Sequence, residues 1–227
     1  MKTIIGVIML LLMTSWSYAN DIYVTQSGAS LDLDITQDGE NNTVGNSTTA
    51  STSTGATTIL NIDQIGDSNV ITYQINGATY TGVINLVGSS NNVDLNCDST
   101  GGNSSCGTAN AVINFTGSSN DIDLDIGQTS SANTADVDIV GQSGSDSNVV
   151  AATVDGNSAV LTITVNGDTN NYLIDIDGNG DSVGHTLIHS HTGGIADVDI
   201  IQSGTNDNMI TLTTSGDNAD IDISQTD

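Results

Sequence analysis

Hydrophobic and polar residues alternate in short segments that recur along almost the whole chain. In residues 59–70, apolar Leu60 and Ile62 alternate with polar residues, and Gln64 continues on the apolar side. An alternation with a period of two predicts a β-strand that buries one face. Gly66 then interrupts the strand and opens a polar turn. The segment therefore predicts one strand followed by one turn.

The same strand and turn are repeated upstream and downstream. Residues 33–42 and 198–208 carry full copies, and reduced copies have another residue in place of the glutamine. Glycines mark the repeat at a regular step, as they do from Gly55 through Gly66 and Gly77 to Gly88. Self-similarity at a fixed period is the signature of a repeat architecture.

This periodicity predicts an all-β fold, a single β-solenoid covering residues 20–227. Two steps form a two-stranded coil of about 22 residues, so the segment contains roughly nine coils. Residues 43–58, rich in Thr and Ser, are expected to form an irregular half-coil, and residues 97–109 a loop excursion. A β-sandwich also has short, evenly spaced strands. We favour the solenoid because Gln and Asn recur at fixed positions relative to Gly, which a sandwich core does not require.

Residues 1–19 have the features of a secretory signal peptide. Lys2 provides the positive charge, residues 4–13 are apolar, and residues 17–19 read Ser-Tyr-Ala, a small-x-small cleavage site. The apolar run is too short to span a bilayer, and we expect no membrane insertion of the mature chain. The sequence thus predicts a secreted protein, extracellular or at the cell surface.

The charge balance excludes one class of partner. The chain has one Lys or Arg against 27 Asp and Glu, a net charge of −26, and the single cation is Lys2. Without cations to contact phosphates, the mature chain is not expected to bind nucleic acid. Salt would screen the repulsion among its carboxylates.

Cys97 and Cys106 are the only cysteines. In an exported protein, such a pair predicts a disulfide that closes the intervening loop. The alternative is two free thiols.

Four segments resemble the curlin repeat of curli fibre subunits. The strict Gln-x-Gly-x-x-Asn motif occurs as Gln37, Gly39, Asn42 and as Gln64, Gly66, Asn69; a version with one extra residue occurs as Gln142, Gly144, Asn148 and as Gln202, Gly204, Asn208. The resemblance implies a solenoid subunit that stacks into extracellular amyloid fibres for adhesion and biofilm formation.

Several polar clusters were considered as sites. Asp-x-Asp pairs occur throughout, so none is distinguished as a catalytic pair, and no enzymatic activity is expected. Residues 175–181 match the opening of a calcium loop, but Thr186 occupies the position of the bidentate Glu. We expect no dedicated cofactor and only weak calcium binding along rows of Asp. The three histidines, His185, His189 and His191, are weak candidates for a metal site.

The sequence therefore favours a structural subunit that self-associates, or associates with similar subunits, into curli-like fibres by end-to-end stacking. The alternative, from another class, is a monomeric acidic solenoid that serves as an adhesin or a cation-dependent surface-binding module.

Overall fold

The computed structural model describes residues 21–39, 41–45, 48–66, 68–97, 106–127, 134–142, 144, 146–156, 158–177, 185–204 and 208–226. The expected signal peptide, most of the loop excursion and most of the calcium-loop candidate lie outside these ranges. Within them the chain forms 17 β-strands and no helix, and it therefore contains no helix that could cross a membrane.

The strands are β1 (Asp21–Ile22), β2 (Thr25–Ser27), β3 (Ser30–Asp38), β4 (Thr43–Val44), β5 (Ser51–Ile65), β6 (Val70–Val87), β7 (Asn92–Cys97), β8 (Thr108–Thr116), β9 (Asp121–Ile126), β10 (Thr134–Gly141), β11 (Val149–Asp155), β12 (Ser158–Asn166), β13 (Asn170–Asp177), β14 (Thr186–Thr192), β15 (Ile195–Ser203), β16 (Met209–Ser215) and β17 (Asn218–Thr226). The second part of the Thr/Ser-rich segment is thus strand, because β5 begins at Ser51.

Every pairing between these strands is parallel, and each strand pairs with the strand one turn further along the chain. Ladder one contains β1, β2, β4, the first parts of β5 and β6, β7, β9, β11, β13, β15 and β17. Ladder two contains β3, the second parts of β5 and β6, β8, β10, β12, β14 and β16. This is a parallel β-solenoid, as the periodicity predicted.

The solenoid has about seven turns, so the estimate of roughly nine coils is not confirmed. The distance in sequence between paired residues explains the difference. Val70 pairs with Asn92, and Asn92 pairs in turn with Asp121, so the second of these two turns contains more residues than the first. Turns of variable length lengthen many coils beyond the basic repeat, because a turn on the surface can grow without disturbing the stacked strands.

The core lies between the two ladders and consists of rows of similar residues. In ladder two, one inward position is occupied in successive turns by Ile35, Ile62, Ile84, Ile113, Ile139 and Ile163. We call this set the isoleucine row. All six are buried, and full burial of such a side chain contributes about 2 kcal/mol. The alternation of apolar and polar residues in the sequence therefore corresponds to the alternation of side chains between the core and the solvent.

Glycines form the corners where one turn lies directly on the next. The amide of Gly66 donates to the carbonyl of Val87, and that of Gly88 donates to the carbonyl of Thr116. A Cβ on Gly88 would overlap the carbonyl oxygen of Gly66. The regular spacing of glycines in the sequence therefore reflects the absence of space for a side chain at these corners.

We expect Gly88→Ala to lower the free energy of unfolding by about 3 kcal/mol, because the added methyl must displace backbone rather than a flexible side chain. Gly144→Ala is the matched control. Gly144 has a positive φ of 87° but no atom within 4 Å of the added methyl, so its substitution costs only about 1 kcal/mol. Thermal unfolding followed by circular dichroism measures both; equal losses would contradict the close-approach explanation.

Candidate assembly site

The core contains two glutamine pairs, one in each ladder. Nε2 of Gln64 donates to Oε1 of Gln37 at 2.7 Å, and both side chains are buried. Nε2 of Gln225 contacts Oε1 of Gln202 at 3.4 Å. A glutamine amide carries both donors and an acceptor, so it bonds to an identical residue in the next turn.

The third expected glutamine does not join such a pair. Gln142 is exposed at the end of β10. The inward position of that turn belongs to Gly141, which is paired with Phe115 on one side and Val165 on the other. A Cβ on Gly141 would lie 2.7 Å from the ring of Phe115, so the glycine makes room for the ring and Gln142 turns to the surface.

Asparagine forms the longest polar row in the core, and we call it the asparagine ladder. It contains six buried residues: Asn42, Asn69, Asn91, Asn120, Asn148 and Asn170. Each of the first five immediately precedes a ladder-one strand, and Asn170 is the first residue of one. From Asn69 onward, each Nδ2 donates to Oδ1 of the next member, at distances of 2.7 to 2.9 Å. Within this run, the amide of each asparagine is thereby bonded to the amide of the next turn, although Oδ1 of Asn69, at the start of the run, has no partner among the described residues.

The asparagines also close their own turns. Nδ2 of Asn91 donates to the carbonyl of Gly88 at 3.0 Å, and Nδ2 of Asn170 donates to that of Gly167 at 2.9 Å. The residue before Asn91 is Ser90, which has a φ of 64°. One side chain therefore stabilises a left-handed turn and joins that turn to its neighbour.

Three members of the asparagine ladder do not belong to any copy of the Gln-x-Gly-x-x-Asn motif. Asn91, Asn120 and Asn170 follow glycines that have no glutamine two residues earlier. The shorter pattern Gly-x-x-Asn identifies all three. By contrast, Asn208 lies outside the asparagine ladder, because it aligns with His185 in ladder two and accepts a bond from the His185 amide at 3.3 Å.

The cysteines and histidines also lie in the core. Cys97 and Cys106 form a disulfide with their Cα atoms 5.8 Å apart. His185, His189 and His191 all point inward and are buried, although the sequence left their orientation open. Within the described ranges, no three His, Cys, Asp or Glu side chains converge as a metal site would require. The nearest partner of His191 is instead the hydroxyl of Tyr172, 2.9 Å from Nδ1.

The carboxylates lie on the outward positions, and asparagines separate many of them. Asn61 donates to Asp34 at 2.8 Å, and Asn96 donates to Asp125 at 3.1 Å. Asp lies on Asp in a few places, and the stacks with described side chains are Asp94 on Asp123, Asp197 on Asp220 and Asp199 on Asp222.

At the first of these stacks, partial burial raises the pKa of Asp123, and the negative charges of Asp94 and Asp121 raise the pKa further. A raised pKa means that the folded state opposes ionisation. This stack therefore stabilises the fold less as the pH rises through the pKa of Asp123.

The last turn leaves apolar core positions open to solvent. All nine residues of β17 are exposed, and the inward-pointing Ile221 and Ile223 are 37% and 48% exposed. In ladder two, Ile210 and Leu212 of β16 are only partly buried. Among the described strands, β17 pairs only with β15, and β16 only with β14. Among the described residues, the turn formed by β16 and β17 therefore presents unpaired backbone beside an open apolar core, and such an edge can serve as a template for another strand.

We expect Asn120→Ala to lower the free energy of unfolding by about 3 kcal/mol. The substitution removes the acceptor of Nδ2 of Asn91 and the donor to Oδ1 of Asn148 inside the core. Asn110→Ala, on the exposed side of β8, is the control and should change stability by no more than about 0.5 kcal/mol. Chemical denaturation of both variants checks this. Equal stabilities would show that the asparagine ladder contributes nothing.

Comparisons with known proteins assign this chain to no family. No protein-family model, no curated protein and no solved structure matches it.

Proposed function

We propose that this protein is a secreted structural subunit that assembles end to end into extracellular fibres and catalyses no reaction. The observation that supports this most strongly is the open terminal turn formed by β16 and β17. A second copy would add its first turn, β1 to β3, to these strands. The mechanism is strand addition, in which main-chain hydrogen bonds provide affinity and side-chain rows provide register.

The register of the solenoid can be continued across such a joint. Following the paired residues along ladder one aligns Ile22 of the incoming copy with Ile221, and aligns its Val24 with Ile223. Along ladder two, the same procedure aligns Leu33 with Ile210 and Ile35 with Leu212. Each apolar row would therefore continue into the next subunit.

A glutamine row supports the same alignment. Gln26 of the incoming copy falls on Gln225, which already contacts Gln202. Within the described residues, Oε1 of Gln26 is buried and has no hydrogen-bond partner. At the joint, Gln26 would enter a three-membered amide row, as a residue with both donors and an acceptor can.

The proposal includes cleavage after residue 19, which would leave the first turn free to dock. Export and a role in adhesion and biofilm are what the resemblance to curlin repeats implies. That resemblance rests on the motifs at Gln37 and Gln64 and on the glycine spacing.

Electrostatic repulsion opposes the joint at one position. Asp21 of the incoming copy would stack on Asp220, whereas in ladder two Asp32 meets Met209. Two carboxylates about 4.8 Å apart repel by roughly 1 kcal/mol in water. We therefore propose that salt, acid or a divalent cation promotes assembly by relieving this repulsion.

Ile223→Lys should slow fibre elongation at least tenfold, because it places a charge in the row that Val24 of the incoming copy must enter. Ser224→Lys adds the same charge to the same strand on its outward face and should elongate at nearly the normal rate. Seeded growth followed by thioflavin fluorescence and electron microscopy compares the two. If both variants elongate alike, the joint does not use the core face of β17.

Asp220→Asn should accelerate elongation at neutral pH and low salt by about fivefold, the equivalent of roughly 1 kcal/mol of relieved repulsion. The advantage should disappear in high salt. Asp136→Asn removes the same charge from a ladder-two position away from the joint, and it should leave the rate unchanged. Equal acceleration by both variants would indicate a general effect of net charge instead.

The stacked carboxylates of β15 and β17, Asp197 on Asp220 and Asp199 on Asp222, favour the second candidate function. They present four carboxylates on one face, where a diffuse divalent-cation layer would form. If the purified protein stays a soluble rod under all ionic conditions, the monomeric cation-dependent surface-binding module becomes the better proposal.

A further inference from the structure

His189 occupies the core position that is isoleucine in every preceding turn of ladder two. It pairs with Ile163 on one side and with Leu212 on the other, and so continues the isoleucine row. Its side chain is fully buried, and neither ring nitrogen has a hydrogen-bond partner among the described residues. Buried polar groups nearly always have partners, so this imidazole marks an exception that requires a physical explanation.

Among the described residues, the strands that adjoin His189 turn no acidic side chain towards it. The adjoining strands β12 and β16 present Leu161, Ile163, Val165, Ile210, Leu212 and Thr214, and β15 presents Val198, Ile200 and Gln202. The titratable groups beside it are Tyr172, 4.4 Å away between ring centroids, and His191 of its own strand; His185, which precedes β14, is also buried. One carboxylate, that of Asp168, acts on His191.

Burial, together with the smaller effect of the neighbouring His191, lowers the pKa of His189 to about 4. Burial likewise lowers the pKa of His191, with Asp168 acting in the opposite direction. Burial raises the pKa of Tyr172, so its hydroxyl stays neutral. The folded core therefore accommodates His189 only as the neutral imidazole.

The topology allows this part of the core to open by itself. The strands β14 to β17 are attached to the rest of the solenoid through the pairings of β14 with β12 and of β15 with β13. In a repeat architecture each turn contacts only its neighbours, so a terminal segment can separate while the rest stays folded. The turns before β14 keep the isoleucine row intact.

We propose that β14 to β17 form an acid-labile unit, in which protonation of His189 holds the last turns open while β3 to β12 remain folded. The consequence for assembly rests on the proposed function: acid would remove the turn onto which a second copy stacks, and this loss would oppose the gain that acid brings by relieving carboxylate repulsion at the joint. The opening itself concerns the single chain and does not depend on fibre formation.

The direction of the effect follows from proton linkage. A histidine in the open segment has its ordinary pKa of 6.5, so the open segment binds more protons than the folded one below that pH. The stability of the closed segment is complete above pH 6.5 and falls as the pH drops towards 4. At pH 5, the opening equilibrium should shift by about 30-fold relative to pH 7.5.

Hydrogen exchange measured by mass spectrometry on the dilute, monomeric full chain tests the proposal. At pH 5.0 the protein is still above its isoelectric point of about 4.1, which keeps it negatively charged. After correction for the intrinsic rates, peptides from β14 to β17 should exchange about 30-fold faster, relative to those from β6 to β12, than at pH 7.5. Uniform loss of protection along the chain would overturn the proposal.

Two variants assign the effect to His189. His189→Ile completes the isoleucine row and should remove most of the extra exchange at pH 5.0, leaving only the share due to His191, whose pKa is also lowered by burial. His189→Gln keeps a polar, uncharged side chain; it should open more readily at both pH values, with only that smaller difference between them. If either variant retains the wild-type pH dependence, another group is responsible and the proposal fails. Because the measurement uses monomers, its outcome is independent of whether fibres form.

Discussion

Parallel hydrogen bonding between successive turns is the constraint on which this structure depends. Each strand pairs with the strand one turn later, so each inward residue has equivalent positions above and below it. A side chain there must pack against the residues at those equivalent positions. The isoleucine row satisfies this by shape. The glycine corners satisfy it by leaving space, since Gly88 lies against the carbonyl of Gly66.

Polar residues meet the same constraint only when they are self-complementary. An asparagine side chain donates and accepts, so the ladder from Asn69 to Asn170 runs through successive turns with every amide bonded to the next. A neutral imidazole between Ile163 and Leu212 cannot do this, and His189 has no partner there. The last turns of the solenoid therefore differ chemically from those before them, although the backbone continues unchanged.

On the outward face, the choice of side chains depends on contact with solvent rather than on packing against the next turn. A chain with a net charge of −26 must limit contacts between carboxylates. Asn61 beside Asp34 and Asn96 beside Asp125 do so by donating hydrogen bonds. Where Asp94 stacks on Asp123, partial burial and the remaining repulsion both raise the pKa of Asp123. Attraction between core faces and repulsion between outer faces together set the conditions for a second copy to add at the open turn.

The sequence by itself determined the fold class, because period-two alternation and regularly spaced glycines are local patterns that specify strand, corner and repeat. Only the tertiary structure decided which side chains meet. The number of turns depends on surface loops whose lengths vary from coil to coil. The orientation of Gln142 and His189 depends on the register of β10 and β14, since a shift of one residue reverses every side chain. The register of β9 likewise places Asn120 in the asparagine ladder, although Asn120 lacks the complete sequence motif that contains Asn69.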